Sequence, residues 1–458
     1  MSDNAPIGSR PARTGPSPVR VGAAALIGTT VEYYDFAIYS LAAALVFPTV
    51  FFTDNDPFIA SILALGTFAV GFLARPLGGI FFGHYGDKIG RKKMLVISLL
   101  LMGITTVVIG LLPSYDSIGM AAPLLLVLLR FLQGFAFGGE WGGAILLAFE
   151  ASPKSRRGLF AALPQTGPPA GILLGNIAFL TAAQLPDEQL YSWGWRIPFV
   201  VSAVLVVVGL AIRAGIAESA EFREMKAKNA VKQAPALTAF KKNRREILLV
   251  VGSFLGYGSL SLICINFLVS YGSGPDGAFT RSEMLTAVLI SNVISLGMTP
   301  LSGHLADRFG FRKVMMTSVT GAIAGAVVLM TAINSGNYAF VIIGYVICLG
   351  GFFSLGNGAQ GALFAGAFRP EVRYTGMSVG FQLSNVLGSA ISPIVATILL
   401  RETGSIYSVA IYLAAVLAIS AISVHFLIRR VAQLNTVTTA EDTPRRTDAA
   451  NELRAPHA

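Results

Sequence analysis

Two carboxylates, Glu32 and Asp35, stand three residues apart in the stretch GTTVEYYDFAIYS (28–40), among residues that otherwise suit hydrocarbon. On a helix they share one face. Arg75, Arg130 and Glu140 also fall inside apolar runs, and Glu150 lies near the end of one. A charge at a bilayer centre costs roughly 2.5–3.5 kcal/mol on insertion scales, so such residues face a water-filled cavity or pair with one another. A carboxylate held between burial and a nearby guanidinium can load a proton on one side of a membrane and release it on the other. Asp35, with Glu32 in support, is therefore the candidate proton-coupling pair; a permanent structural ion pair is the alternative.

Guanidinium stays charged and presents a fork of donors that fits a carboxylate. Arg130 thus reads either as a clamp for a substrate carboxylate or as the counter-ion of Asp35, and Gln133, one turn on, shares its face. Glu140 lies on a ladder of Gly134, Gly138 and Gly142 suited to close helix packing. It is expected either to form a structural intramembrane pair with Arg75 or to serve transport. Glu150 is expected to pair with Arg156 or Arg157 at a membrane edge, with Glu371 and Arg373 as a looser counterpart. In PQTGPPAGILLGN (164–176), Gln165 and Asn176 are candidate substrate contacts and Pro168–Pro169 a break whose freed carbonyls could line a cavity. Asn266 and Gln382 are the corresponding candidates in the second half, where Tyr271, Asn292, Asn357, Gln360 and Asn385 are further polar points. Tyr34, beside Tyr33, could stack on substrate or simply pack.

The elements that must position these groups are membrane helices. Of 458 residues, 54% are hydrophobic and 13% charged, against about 25% charged in soluble proteins. A spanning helix needs about 20 apolar residues. Such blocks fall at roughly 21–47, 58–83, 94–112, 121–150, 158–184 and 195–215, then at roughly 246–271, 283–306, 314–333, 338–368, 375–400 and 405–429. The formal net charge of +10 does not mark a nucleic-acid binder, because the basic residues gather between apolar blocks. With both termini cytoplasmic, 29 of the 34 Lys and Arg lie on the cytoplasmic face; Arg75 and Arg130 lie within spans, and Arg196, Arg281 and Arg401 lie outside. That asymmetry sets the topology. No cleaved signal peptide is expected. Cys264 and Cys348 lie in apolar blocks and read as inert thiols, with no disulfide framework, metal site or cofactor expected.

The hydrophilic stretch 216–245 divides the chain into bundles at 21–215 and 246–430, flanked by a tail at 1–20 and a tail at 431–458 expected to be disordered. The halves match. GHYGDKIGRKK (83–93) recurs as GHLADRFGFRK (303–313), and PKSRRG (153–158) faces PEVRYTG (370–376) at nearly the same shift. The loop G-x-x-x-D-[KR]-x-G-[RK]-[RK]-[RK] resembles the signature of the major facilitator superfamily. Further stretches, VEYYDF, FLARPLGG (72–79), RFLQGFAFGGEWGG (130–143), SWGWRIPF (192–199) and ESAEF (218–222), resemble its metabolite:proton symporter branch, which carries shikimate, α-ketoglutarate, citrate, proline and betaine.

The resemblance implies an all-α membrane protein of twelve transmembrane helices in two pseudo-symmetric six-helix bundles, working by alternating access. It also implies that the loop is a cytoplasmic latch. Gly83, Asp87, Gly90 and Arg91 belong to it, with Gly303, Asp307, Arg308 and Gly310 in the second copy and Glu150 and Arg157 nearby. Gly83 permits close helix approach and Gly90 a left-handed backbone at the turn. Asp87 is expected on an Arg or at a helix N-terminus. Phe311 replaces the basic residue of the first copy, which weakens the second latch. His84 and His304 read as structural. The implied function is proton-coupled symport of a small organic acid, shikimate-like or a mono- or dicarboxylate, by an inner-membrane monomer. A zwitterion such as proline or betaine is the alternative. No H-E-x-x-H motif, nucleophile with its base, or phosphate-binding glycines suggest an enzyme, and a sensor would need an appended signalling domain. A Gly-Pro pattern like that of span five marks antiporters elsewhere in the superfamily.

Overall fold

The computed structural model describes residues 17–54, 56–227, 234–274 and 277–452, and all regular structure among them is helical. The first bundle comprises α1 (Pro18–Leu45), α2 (Pro57–Ile89), α3 (Arg91–Leu111), α4 (Ala121–Ala151), α5 and α6 (Arg196–Ala214). α5 is built of two pieces, Arg157–Gln165 and Gly167–Ala182. The second bundle comprises α7 (Arg244–Leu262, continued to Gly272), α8 (Arg281–Phe309), α9 (Phe311–Asn334), α10 (Tyr338–Gly366), α11 (Arg373–Ser384, continued to Thr403) and α12 (Ile406–Glu452). Among the described residues, ten helices are long and apolar enough to cross a membrane. The other two are α1, whose 28 residues are long enough but which carries Glu32 and Asp35, and the broken α5.

Local chemistry sets the element ends. Asp56 accepts from the Phe58 N–H at 2.9 Å and Pro57 opens α2, while Thr280 and Glu283 form a reciprocal cap at the start of α8. α2 and α8 stop at Gly90 (φ 122°, ψ 145°) and Gly310 (φ 90°, ψ 143°). This is not the left-handed helical conformation expected for Gly90 but an extended one at positive φ, which is essentially reserved for glycine. The two breaks are the same turn in the two copies of the repeat. In α5 the break falls at Thr166, where Pro168 and Pro169 start the second piece because their missing N–H groups suit a helix start.

α2 and α4 lie in backbone contact: a Cβ on Gly134 would come within 2.1 Å of the Gly71 carbonyl oxygen, and one on Gly138 within 2.1 Å of that of Arg75. The first bundle is closed at one end by rings of Phe47, Phe51, Trp195 and Phe199. In the second bundle α7, α10 and α11 each contain a stretch of π-helix, at Ile263–Phe267, Val346–Phe353 and Asn385–Ala390. The linker forms short helices at Ala220–Ala227 and Pro235–Lys242. α12 continues to Glu452, so residues 431–452, expected to lack structure, extend that helix, while 453–458 lie outside the described residues. Most of the N-terminal tail lies outside the described residues.

Candidate functional site

Six charged side chains are buried in the interior of the first bundle: Glu32, Asp35 and Glu140, with Arg75, Arg130 and Arg213. Three charges of each sign face one another, yet they are joined in three different ways.

Glu140 on α4 is held directly. Arg213 on α6 grips both its oxygens, with the Nη1 contact at 3.0 Å, and Ser98 on α3 donates at 2.9 Å. Arg213 also donates to the Leu95 carbonyl at 2.8 Å. The expected Arg75–Glu140 pair does not form. Arg213, which charge counting assigned to the cytoplasmic face, reaches inward from the end of α6 at the level of Glu140. Arg75 is instead held by aromatic rings, its guanidinium carbon 3.7 Å from the centroid of Phe137 and 4.0 Å from that of Phe72.

Asp35 is held indirectly. Ser202 on α6 donates to Oδ1 at 2.6 Å and Thr106 on α3 to Oδ2 at 2.7 Å. Gln133 donates to the Thr106 oxygen at 2.8 Å, and Arg130 to the Gln133 oxygen at 2.5 Å. Arg130 and Asp35 are thus the two ends of a hydrogen-bonded chain through two neutral groups, and no direct salt bridge joins them. Arg130 also lies 4.0 Å from the ring centroid of Tyr39. Ser202 and Thr106 were not singled out in the sequence, because hydroxyls are common in apolar helices. Glu32 is held least. Neither carboxylate oxygen has a hydrogen-bond partner among the described residues, and the side chain lines a cavity of about 10 Å³ with Arg75, Arg130 and Gln133.

The other candidates divide. The Tyr34 hydroxyl donates to the Pro198 carbonyl at 2.9 Å inside the bundle and is not free to meet a substrate. Gln165 and Gln382 bridge the two bundles. Trp141 donates to Gln165 at 2.6 Å, Gln165 to Asn357 at 3.2 Å, and Gln382 to the Gly138 carbonyl at 3.2 Å. The Trp141 and Phe381 rings stack face to face across the interface at 3.5 Å. Asn176 is half-buried. Asn266 is exposed and lines a separate cleft of about 600 Å³ with Tyr271, Asn334 and Thr397.

Where α2 and α8 end, each half grips the other. Asp87 accepts from the N–H groups of Tyr374 and Thr375 at 3.2 and 2.9 Å and from the Thr375 hydroxyl at 2.8 Å, all at the start of α11. Asp307 accepts from the N–H groups of Gly158 and Leu159 at 2.7 and 2.8 Å, at the start of α5. Each carboxylate thus sits on the positive end of a helix in the opposite bundle. The helices meet closely: a Cβ on Gly83 would come within 2.7 Å of the Thr375 Cα, and one on Gly303 within 2.4 Å of the Gly158 oxygen.

Arg91 adds to the first contact only, 3.6 Å from Asp87 and 3.5 Å from Glu150, with a hydrogen bond to the Pro370 carbonyl at 3.0 Å. Glu150 does not take Arg156 or Arg157 as expected; its partners are Arg91 and, at 3.2 Å, Arg373 from the other bundle. Arg157 turns to Glu221 of the linker at 2.7 Å, and Glu221 also binds Arg373. Burial pushes the Glu221 carboxyl up, but Arg373 and then Arg157 outweigh it and hold the group below the usual carboxylate range. Arg308 is exposed and makes no ion pair among the described residues, so it adds nothing to the second contact. No group of three His, Cys, Asp or Glu among the described residues could hold a metal.

Comparison with known proteins gives this arrangement a family. The chain is 43% identical over 417 residues to the inner membrane metabolite transport protein YhjE of Escherichia coli (strain K12), covering 88% of this chain and 92% of that one. It is 37% identical over 408 residues to the shikimate transporter of the same organism, covering 88% and 93%. Its fold is similar to the structure of the proton:xylose symporter XylE bound to 6-bromo-6-deoxy-D-glucose, with a TM-score of 0.72 and 17% identity over 91% of this chain and 96% of that one. The family model of the Major Facilitator Superfamily matches residues 25–379 and again 278–457. The chain therefore belongs to the Major Facilitator Superfamily, as a multi-pass membrane transporter and not an enzyme.

Proposed function

We propose that this transporter carries a small organic acid together with protons across the inner membrane by alternating access, acting as a monomer with both termini in the cytoplasm. The bundles at 21–215 and 246–430 rock about the site, joined by the linker at 216–245. The observation that carries this reading is the indirect link between Arg130 and Asp35. A directly paired carboxylate would keep its charge through the cycle. One held by two hydroxyls, with Arg130 three hydrogen bonds away, can change protonation without stripping a buried guanidinium of a direct partner. A guanidinium-rich bundle suits an anionic solute, and a co-transported proton offsets its charge.

The mutual grips of Asp87 and Asp307 hold shut what the basic residues identify as the cytoplasmic end. Substrate then enters from the opposite side and leaves when these grips break. The shikimate-like end of the substrate range is supported by the name of a relative at 37% identity. The zwitterion alternative is less well supported. A quaternary ammonium calls for an aromatic cage, and the Phe36, Phe72 and Phe137 rings of this bundle already enclose Arg75.

The test is uptake into proteoliposomes under an inward proton gradient, with labelled shikimate, small mono- and dicarboxylates, proline and betaine. Uncoupler-sensitive accumulation of an acid is the expected result. Accumulation of betaine or proline alone, or equilibration without accumulation, would overturn it.

A further inference from the structure

Of the three acids and three guanidinium groups named above in the interior of the first bundle, two of each are matched: Glu140 with Arg213 directly, and Asp35 with Arg130 through Gln133 and Thr106. Glu32 and Arg75 remain. Both line the same small cavity, Glu32 is 1% and Arg75 6% exposed, and no salt bridge joins them. Arg75 makes no hydrogen bond or ion pair among the described residues, and its contacts are the faces of Phe72, Phe137 and, at 5.2 Å, Phe36. Aromatic faces attract a cation but do not use its N–H donors, so the fork of Arg75 is held in place with its hydrogen-bonding capacity unused. An uncompensated buried charge is among the more destabilising features a protein can carry. It persists where a ligand supplies the missing partner.

We infer that Arg75 is the binding residue for the carboxylate of the transported acid, and that the carboxylate of Glu32 competes with it for that guanidinium. The inference rests on the organic-acid reading above. When the site is empty, ionised Glu32 is the anion nearest Arg75 across the cavity. When the solute arrives, its carboxylate takes the Arg75 fork and Glu32 takes up one proton from the water on the entry side. On release that proton leaves Glu32 on the exit side and Glu32 turns back to Arg75. One proton thus accompanies each carboxylate bound at Arg75, and the charge of the site is unchanged. The other charged groups around Glu32 are Asp35 on its own helix, Glu140 on α4 and Arg213 on α6, with Arg130 on the cavity wall. Arg213 is engaged by Glu140 and Arg130 by Gln133, which leaves Arg75 as the cation open to exchange. The cavity of about 10 Å³ has room for scarcely one water. Phe36 and Phe137 must therefore swing aside before the solute enters.

The test uses the full-length protein in proteoliposomes. Shikimate and benzoate are the probes, and KM and solute exchange at equal pH are measured from pH 5.5 to 8. Arg75→Gln is expected to raise KM for the carboxylate at least 100-fold at every pH, with Arg75→Lys restoring part of the loss. Glu32→Gln is expected to lower accumulation under a given proton gradient and to flatten the pH dependence of KM to less than two-fold. Arg75→Gln with KM within two-fold of wild type, or Glu32→Gln with the wild-type pH slope, overturns the assignment while leaving the organic-acid reading intact. A wild-type protein that takes up neither probe overturns both. Elution of each variant as a monodisperse peak separates loss of binding from loss of folding, and the pH slope of KM in Glu32→Gln is read independently of whether Arg75→Gln is well folded.

Discussion

Replacing Asp87 by Asn would weaken the closed arrangement of the charged end, and the structure sets the size of the effect. Asp87 is fully buried and accepts three hydrogen bonds from the start of α11. An amide keeps one acceptor oxygen but turns an NH2 group toward a backbone N–H, leaving at least one buried donor unmet at about 1–3 kcal/mol. Loss of the charge also removes its attraction to the helix dipole, worth about 0.3–2 kcal/mol. The sum is about 1.3–5 kcal/mol, which at 1.4 kcal/mol per tenfold is a shift of roughly tenfold to a few thousand-fold toward the open arrangement.

Asp307→Asn is the internal comparison. That carboxylate accepts only two N–H groups, is half-exposed so that water can replace what is lost, and has Phe311 where the first copy has Arg91. Its effect is expected at about 1 kcal/mol, less than tenfold. The assay is a spin-label distance distribution between Lys88→Cys and Arg308→Cys, two exposed positions at the ends of α2 and α8; the native Cys264 and Cys348 are buried. An unchanged distribution in Asp87→Asn, or a larger change in Asp307→Asn, would refute the reasoning.

Breaking the Glu140–Arg213 pair by Arg213→Met is expected to cost about 3–5 kcal/mol by leaving a buried carboxylate unmatched. Thermal unfolding in detergent should show this as a lowered Tm, with much of the loss recovered in the Glu140→Gln, Arg213→Met double variant; a single variant as stable as wild type would contradict the pairing. The linker contact of Glu221 carries its own pH signature. Because its carboxyl lies below the usual range when folded, its contribution is fully present above the ordinary carboxylate pKa near 4.3 and is lost as pH falls through the lower folded value. The part of the pH dependence of the same spin-label distances that Glu221→Gln removes should therefore lie in stronger acid, and Glu221→Gln should widen the distances at neutral pH. A pH step between 6 and 7 that is lost in Glu221→Gln would contradict this.

The spans and the duplicated loop were legible because both are local patterns. Apolar blocks announce spans by length, and GHYGDKIGRKK with GHLADRFGFRK announces a repeat. The charge partners were not legible, because each bridges helices far apart in sequence. Arg213 lies 73 residues from Glu140 and near a helix end, where a basic residue reads as a topology signal. Arg75 lay nearer in sequence and was the natural candidate, but its level in the bundle places it among phenylalanines. Asp35 is satisfied by Ser202 and Thr106, whose hydroxyls carry no sequence signature of that role. Arg373 and Glu150 were both noticed, each with a neighbour in sequence; the fold joins them to each other because the latch closes between halves. The fully broken α5 was visible from Pro168 and Pro169, while the π-helical stretches of α7, α10 and α11 had no comparable marker.

The central claim is that a solute and a proton cross together. It is tested most directly by entrapping a pH-sensitive dye in proteoliposomes and adding shikimate outside with no pH gradient imposed. The account predicts that the lumen acidifies as the solute enters wild-type vesicles, that Asp35→Asn vesicles acidify less for each solute taken up, and that protein-free vesicles show no acidification. Solute entry without acidification in the wild type, or undiminished acidification in Asp35→Asn, would contradict it.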